Sequence, residues 1–153
     1  MTLNAPQPFH DEMPATYANR VGQWYWSWNK ANKSLGQFLT PLTVARFMAR
    51  LLPPKDGPVH VLDPGAGIGI LSCALCETLE TDIELEVYEV DAQLAGYLNV
   101  CLSYAQTWMR ARHRCLRYKI VREDFVLAHA PALDLPVKNP FDVIISNPPY
   151  FKH

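Results

Sequence analysis

Apolar residues recur first at helical spacing and then in short runs between turns. Leu42, Ala45, Phe47, Met48, Leu51 and Leu52 fall near the 3.6-residue period. They predict a helix with Thr40 as N-cap and Pro41 at the first helical position. Pro53-Pro54 would stop it, and the run to Pro58 reads as a turn. From Val59 strands alternate with helices: a strand Val59-His60-Val61-Leu62, then the glycine-rich turn Asp63-Pro64-Gly65-Ala66-Gly67-Ile68-Gly69, then a helix from Ile70 to Leu79. A second strand follows at Glu84 to Tyr88. A long helix comes next, capped by Asp91 and running to about His113. The third and fourth strands are Arg117 to Val121 and Asp142 to Ser146. This alternation predicts an α/β fold: a parallel sheet with right-handed crossovers, the first half of a doubly wound arrangement of strand order 3-2-1-4. Such a sheet normally continues past its fourth strand. The expectation is therefore a sheet truncated there, with an exposed edge open to self-association.

Ahead of the alternating region, Met1 to about Tyr17, with Pro6, Pro8 and Pro14, reads as a mobile arm. The dense cluster Trp24-Tyr25-Trp26-Ser27-Trp28 follows. Such rings could stack on bases, but packing on the domain's flank is the preferred reading. The expected division is residues 1–34 as arm and aromatic-rich segment and 35–153 as the catalytic domain.

Composition narrows the class. With 153 residues, 49% hydrophobic and 19% charged, the chain can bury roughly 70% of its unfolded surface in one core. The formal net charge of -1 gives no overall basic footprint for nucleic acid. Either the partner is something else or the basic surface lies elsewhere. The stretch Arg110, Arg112, Arg114, Arg117, Lys119 could touch phosphate, though the solvated end of a long helix is the preferred reading. No basic segment followed by an apolar run opens the chain, and no run of about 18 apolar residues exists, so the expectation is a cytoplasmic protein without a membrane span. Cys73 and Cys76 have C-x-x-C spacing but sit in an apolar helical pattern without a second ligand pair. They read as core residues, with no metal site expected.

Four motifs carry candidate chemistry. The glycines after the first strand allow a sharp turn and close approach to a ligand. Asp63, just before them, is badly placed for a pyrophosphate and suited to an ammonium group, which favours S-adenosylmethionine over NAD or ATP. Glu89, at the end of the second strand, can accept from ribose hydroxyls; Asp91 competes, but helix capping accounts for it. Asp124 can accept from an adenine amino group, and Phe125 can lie on the adenine face. Asn147-Pro148-Pro149-Tyr150 follows the apolar strand. Its prolines stiffen the loop and donate nothing. The Asn147 side-chain carbonyl and the Pro148 backbone carbonyl are two acceptors at fixed spacing, suited to an exocyclic amine, with the Tyr150 ring available for a flipped base.

In this order, with Gly36-Gln37-Phe38-Leu39-Thr40-Pro41 upstream, the motifs resemble those of the N6-adenine DNA methyltransferases of restriction-modification systems, of the Eco57I and TaqI kind. The resemblance covers Leu35 to Tyr150. It implies a Rossmann-like class I methyltransferase fold and adenosylmethionine as cofactor. It further implies Thr40 and Pro41 as cofactor contacts, double-stranded DNA as substrate, and a cognate restriction endonuclease as possible partner. Asn-Pro-Pro-Tyr also serves RNA guanine-N2 and protein-glutamine methyltransferases; the Gly36 to Pro41 element is what points to DNA adenine. Gly65 stands where many relatives have alanine or serine. The resemblance also implies a C-terminal target-recognition part that this chain lacks. Alone, the chain is then expected to be inactive, or to serve as a non-catalytic assembly module.

Overall fold

The computed structural model describes residues 4–29, 39–129 and 141–148. Gly36, Gln37, Phe38, Pro149 and Tyr150, and the expected boundary at residue 34, lie outside them. The elements run α1 (Pro14–Trp28), α2 (Leu42–Arg50), β1 (Val59–Pro64), α3 (Ile70–Thr78), β2 (Ile83–Tyr88), α4 (Ala92–Arg110), β3 (Leu116–Val121), α5 (Phe125–His129) and β4 (Val143–Ile144). The four strands form one parallel sheet of order β3-β2-β1-β4, as the alternating pattern predicts. Among the described residues, no helix is long and apolar enough to cross a membrane.

The two faces of this sheet differ. Val59, Val61, Ile83, Leu85, Val87 and Leu116 are buried with residues of α1, α3 and α4 in one core. Parallel sheets usually bury both faces and read as continuous apolar runs. Here β2 and β3 alternate instead, and their other face carries cross-strand ion pairs. Glu84 pairs with Arg117, with His60 Nε2 3.2 Å from its other oxygen, and Glu86 pairs with Lys119.

The predicted arm is corrected. The chain is helical from Pro14, because Ala15, Ala18, Val21 and Tyr25 form an apolar stripe that buries against the domain. α1 packs on α3 and α4. Side chains fasten what precedes it: Tyr17 Oη donates to the Pro6 carbonyl at 3.0 Å, Tyr104 Oη to the Glu12 carbonyl at 2.6 Å, and Arg112 pairs with Asp11. Within the aromatic cluster, Tyr25 is buried and contacts Tyr97, as does Trp24, so packing accounts for these two rings.

Other expectations are refined. Asp91 caps α4, accepting from the Gln93 and Leu94 amides. Thr40 does not cap α2: Pro41 takes that position, with no side-chain cap hydrogen bond. α4 ends at Arg110, before a turn in which His113 has a φ of 59°. The basic stretch is largely neutralised within the fold. Arg112 also lies over the Trp108 ring, Arg114 donates to the Cys76 and Leu79 carbonyls, and Arg117 and Lys119 face glutamates. Cys73 and Cys76 are fully buried in α3, and burial pushes both thiols up, Cys76 to about 12.

Candidate active site

The carboxyl ends of β1, β2, β3 and β4 open onto one cavity of about 440 Å³, the size of a small-molecule site and at the place where doubly wound sheets bind ligands. Its lining includes Pro64 at the end of β1 with Gly65 and Gly67 after it, Glu89 after β2, Asp124 and Phe125 after β3, and Asn147 and Pro148 after β4. A small side cleft adds Thr40 and Ala66. The structure thus gathers most of the expected residues.

The glycine loop is folded back onto β2. Gly65, Gly67 and Gly69 have φ of 91°, 58° and 88°, the region that favours glycine. The amides of Gly65 and Ala66 both donate to the Tyr88 carbonyl at 2.9 Å, and the Gly67 amide donates to Glu89 Oε2 at 2.9 Å. Three consecutive amides are therefore spent inside the protein. In a phosphate-binding loop those groups would face the ligand.

Glu89 is buried, and its Oε1 accepts from the Asp91 amide at 2.8 Å. It bridges the glycine loop and the entry to α4 while still bordering the cavity, each oxygen keeping a second acceptor site. Burial raises its pKa, against the pull of these amides. Asp124 accepts from the Leu127 amide at 3.0 Å, starting α5. This short helix was not anticipated from the sequence. Phe125 opens it, edge-on to Tyr88 and tilted against His129.

Asp63 stands apart. It is fully buried and does not line the cavity. Its Oδ2 accepts from Ser72 Oγ at 2.6 Å, while Oδ1 has no partner. Burial pushes its pKa up to about 7. The expected direct contact with a ligand's ammonium group is thus not prepared in this conformation; the carboxyl lies beneath the loop. Pro41 lines neither the cavity nor the cleft.

Thr40 accepts from Asn147 Nδ2 at 3.1 Å. Ser146 Oγ donates to the Pro64 carbonyl at 3.2 Å, tying the end of β4 to the end of β1. Among the described residues, the charged groups around the cavity are Glu89, Glu123 and Asp124, without one Lys or Arg.

The model of the N-6 DNA methylase family matches residues 25–153. The chain belongs to this family. Among curated relatives, it is 34% identical to the type II methyltransferase M.BsuBI of Bacillus subtilis, over 79% of this chain and 26% of that protein. It is 28% identical to M.PstI of Providencia stuartii, over 77% and 24%, and 29% identical to a tRNA1(Val) (adenine(37)-N6)-methyltransferase of Tolumonas auensis, over 65% and 36%. The chain thus spans about a quarter of the length of the two type II relatives. A modification subunit of a putative type I restriction enzyme from Vibrio vulnificus shares the fold, with a TM-score of 0.61 and 22% identity over 95% of this chain and 30% of that one.

Several lining residues of this N-6 methylase chain escape motif reading. Trp26 reaches the cavity from α1, together with Leu39, Val90, Leu94 and Val126. Nothing in their sequence context separates them from ordinary packing residues. Trp26 stood within the conspicuous aromatic cluster, and only the course of α1 reveals which of its rings meets the site.

Proposed function

We propose that this chain binds S-adenosylmethionine and places its methyl group before the N6 amine of adenine in DNA. The observation that carries this reading is the cavity at the carboxyl ends of the strands. Among the described residues its charged lining is wholly acidic, and it runs from Glu89 and Asp124 to Asn147 and Pro148. A pyrophosphate-bearing ligand would meet three carboxylates there. A cationic ligand rich in hydroxyl and amino donors would meet acceptors. Glu89 suits ribose hydroxyls, Asp124 the adenine amine and Phe125 the adenine face. The unpartnered Asp63 Oδ1 beneath the loop fits the same positive charge. When bound, the cofactor supplies an electrophilic methyl on a sulfonium.

The chain's own part is to hold the attacking nitrogen. Asn147 Oδ1 and the Pro148 carbonyl accept hydrogen bonds from its two N–H groups, which orients the lone pair and stabilises the positive charge that builds as it attacks. The proton becomes acidic only after the bond forms, so no strong base is required beforehand. DNA as substrate is supported by the family and by the type II relatives, and a restriction endonuclease as partner by the same likeness. The relatives acting on tRNA favour a second reading, the same adenine chemistry on RNA.

Calorimetry tests the cofactor. A folded chain that fails to bind adenosylmethionine sinks the proposal. With labelled cofactor, the chain or a longer protein containing it should methylate duplex DNA in preference to tRNA; the reverse preference selects the second reading. Asn147→Ala should lower kcat by about 10²- to 10³-fold and leave cofactor affinity nearly intact.

A further inference from the structure

We infer that Thr40 is a positioning residue for the reaction: its hydroxyl holds the Asn147 side-chain amide in place. An asparagine amide presents an acceptor and a donor of nearly equal shape. Only the acceptor can hold a substrate amine, and a flipped amide would put two donors against it. In this fold one contact holds the amide. Asn147 Nδ2 donates to Thr40 Oγ1 at 3.1 Å, from a residue 107 positions away and in a half-buried setting. That contact uses the donor end and leaves Oδ1 for the substrate.

Thr40 is placed to do this because it does not cap α2. Pro41 holds the cap position, which frees the Thr40 side chain to face the cleft it shares with Gly65, Gly67 and Asn147. A hydroxyl has one proton to donate and two sites to accept. Accepting from Asn147 leaves the Thr40 proton for an acceptor in the cleft. A cofactor contact and the grip on Asn147 are therefore compatible, and a ligand that accepted this proton would tighten the whole relay.

The inference rests on the proposed role of Asn147, and the experiment separates the two. Thr40→Val keeps the shape and removes the hydroxyl; Thr40→Ser keeps the hydroxyl. Thr40→Val should lower kcat by roughly five- to tenfold, the worth of one such hydrogen bond. KM for the nucleic acid should stay within about threefold, and Thr40→Ser should restore most of the rate. In the unliganded chain, nitrogen-15 spectra should show the Asn147 side-chain amide shifted and slow to exchange in the wild type and Thr40→Ser, but not in Thr40→Val. This readout needs no turnover. Thr40→Ala serves as a second hydroxyl-free variant should the valine impair folding.

Unchanged kcat and spectra in Thr40→Val overturn the inference. So does a loss confined to cofactor affinity, which would make Thr40 a cofactor contact only. If Asn147→Ala retains full turnover, the amine-holding reading fails and this inference with it. If Asn147→Ala is inactive and Thr40→Val is normal, only the inference about Thr40 fails.

Discussion

β1 has two neighbours in the sheet, and they hold it differently. Toward β2 the register runs through six residue pairs, Val59↔Ile83 to Pro64↔Tyr88. Past the strand ends, the Gly65 and Ala66 amides on Tyr88 and Glu89 on Gly67 continue the attachment. Toward β4 there are two register pairs, Val61↔Val143 and Leu62↔Ile144. Single contacts then follow: the Ile145 amide to the Leu62 carbonyl, Ser146 to Pro64, and Asn147 to Thr40. The wall proposed to hold the cofactor is built into the sheet. The wall proposed to hold the substrate is attached by fewer bonds, two of them between Asp142 and His60 at the far end of the strand. Changes on the first side should register mainly as stability, and changes on the second mainly as turnover.

The largest stability effect should come from Asp63, under the first wall. Its carboxyl ordinarily titrates near 3.8 and is raised by burial to about 7. Between those values the folded state keeps a proton that the unfolded state has released. Stability from this group is therefore complete below about pH 4 and falls as pH rises to about 7. At about 1.4 kcal/mol per unit, the loss is on the order of 4 kcal/mol. Glu89 shifts in the same direction. Glu12, Glu84 and Asp142 are held low by their partners and act at the acid end. Thermal melts from pH 4.5 to 7.5 should show the wild type losing stability relative to Asp63→Asn. Parallel profiles would mean that Asp63 is solvated or paired, and that this wall carries no buried charge for a cation to relieve. Conversely, a bound cation favours the ionised form, so cofactor affinity should rise with pH up to about 7.

Gly69→Ala comes next. Gly69 has a φ of 88°, and an added Cβ would sit 2.6 Å from Leu98 Cδ1, a fully buried side chain. The left-handed backbone costs about 1–2 kcal/mol and the overpacking about 1 kcal/mol or more. Gly65→Ala has similar backbone geometry and open space around the new Cβ, so it isolates the backbone cost. Chemical denaturation should rank Gly69→Ala as the more damaging. Equal losses would show that Leu98 yields, and that the β2 side is less tightly packed than its hydrogen bonds imply.

Much of this contrast was legible in the sequence, and the reasons differ by residue. Asp63 to Gly69, Glu89 and Asp91 announce themselves because strand ends and helix caps impose residue types. Asp91 capping α4 and the strand order 3-2-1-4 follow from such local rules. α1 was missed because its stripe is made of alanines, a valine and tyrosines among prolines, too weak a pattern to outweigh the look of an arm. Thr40 has the pattern of a cap because threonine before proline satisfies that rule equally well. Its actual partner, Asn147, is set by tertiary approach, which periodicity does not encode. Asp63 was read as a ligand contact on its position alone. That it lies beneath the loop, bonded to Ser72, depends on how α3 packs.

The smallest effect belongs to the loosely held side and tests the contrast most directly. Ser146→Ala removes the hydroxyl that donates to the Pro64 carbonyl at 3.2 Å. The group is only half-buried, and water can take over the carbonyl. The stability loss should therefore be about 0.5–1 kcal/mol, the net worth of one hydrogen bond, which melts of a domain this size register as a shift of roughly 1–4 °C. Ser146 is adjacent to Asn147 and is one of the few ties between the two walls, so turnover should suffer more than stability. A fall in kcat of severalfold with unchanged cofactor affinity would mean that the separation of the walls is set by this contact. If Ser146→Ala instead weakened cofactor binding and left kcat alone, β4 would belong to the cofactor wall, and the division at β1 would have to be redrawn.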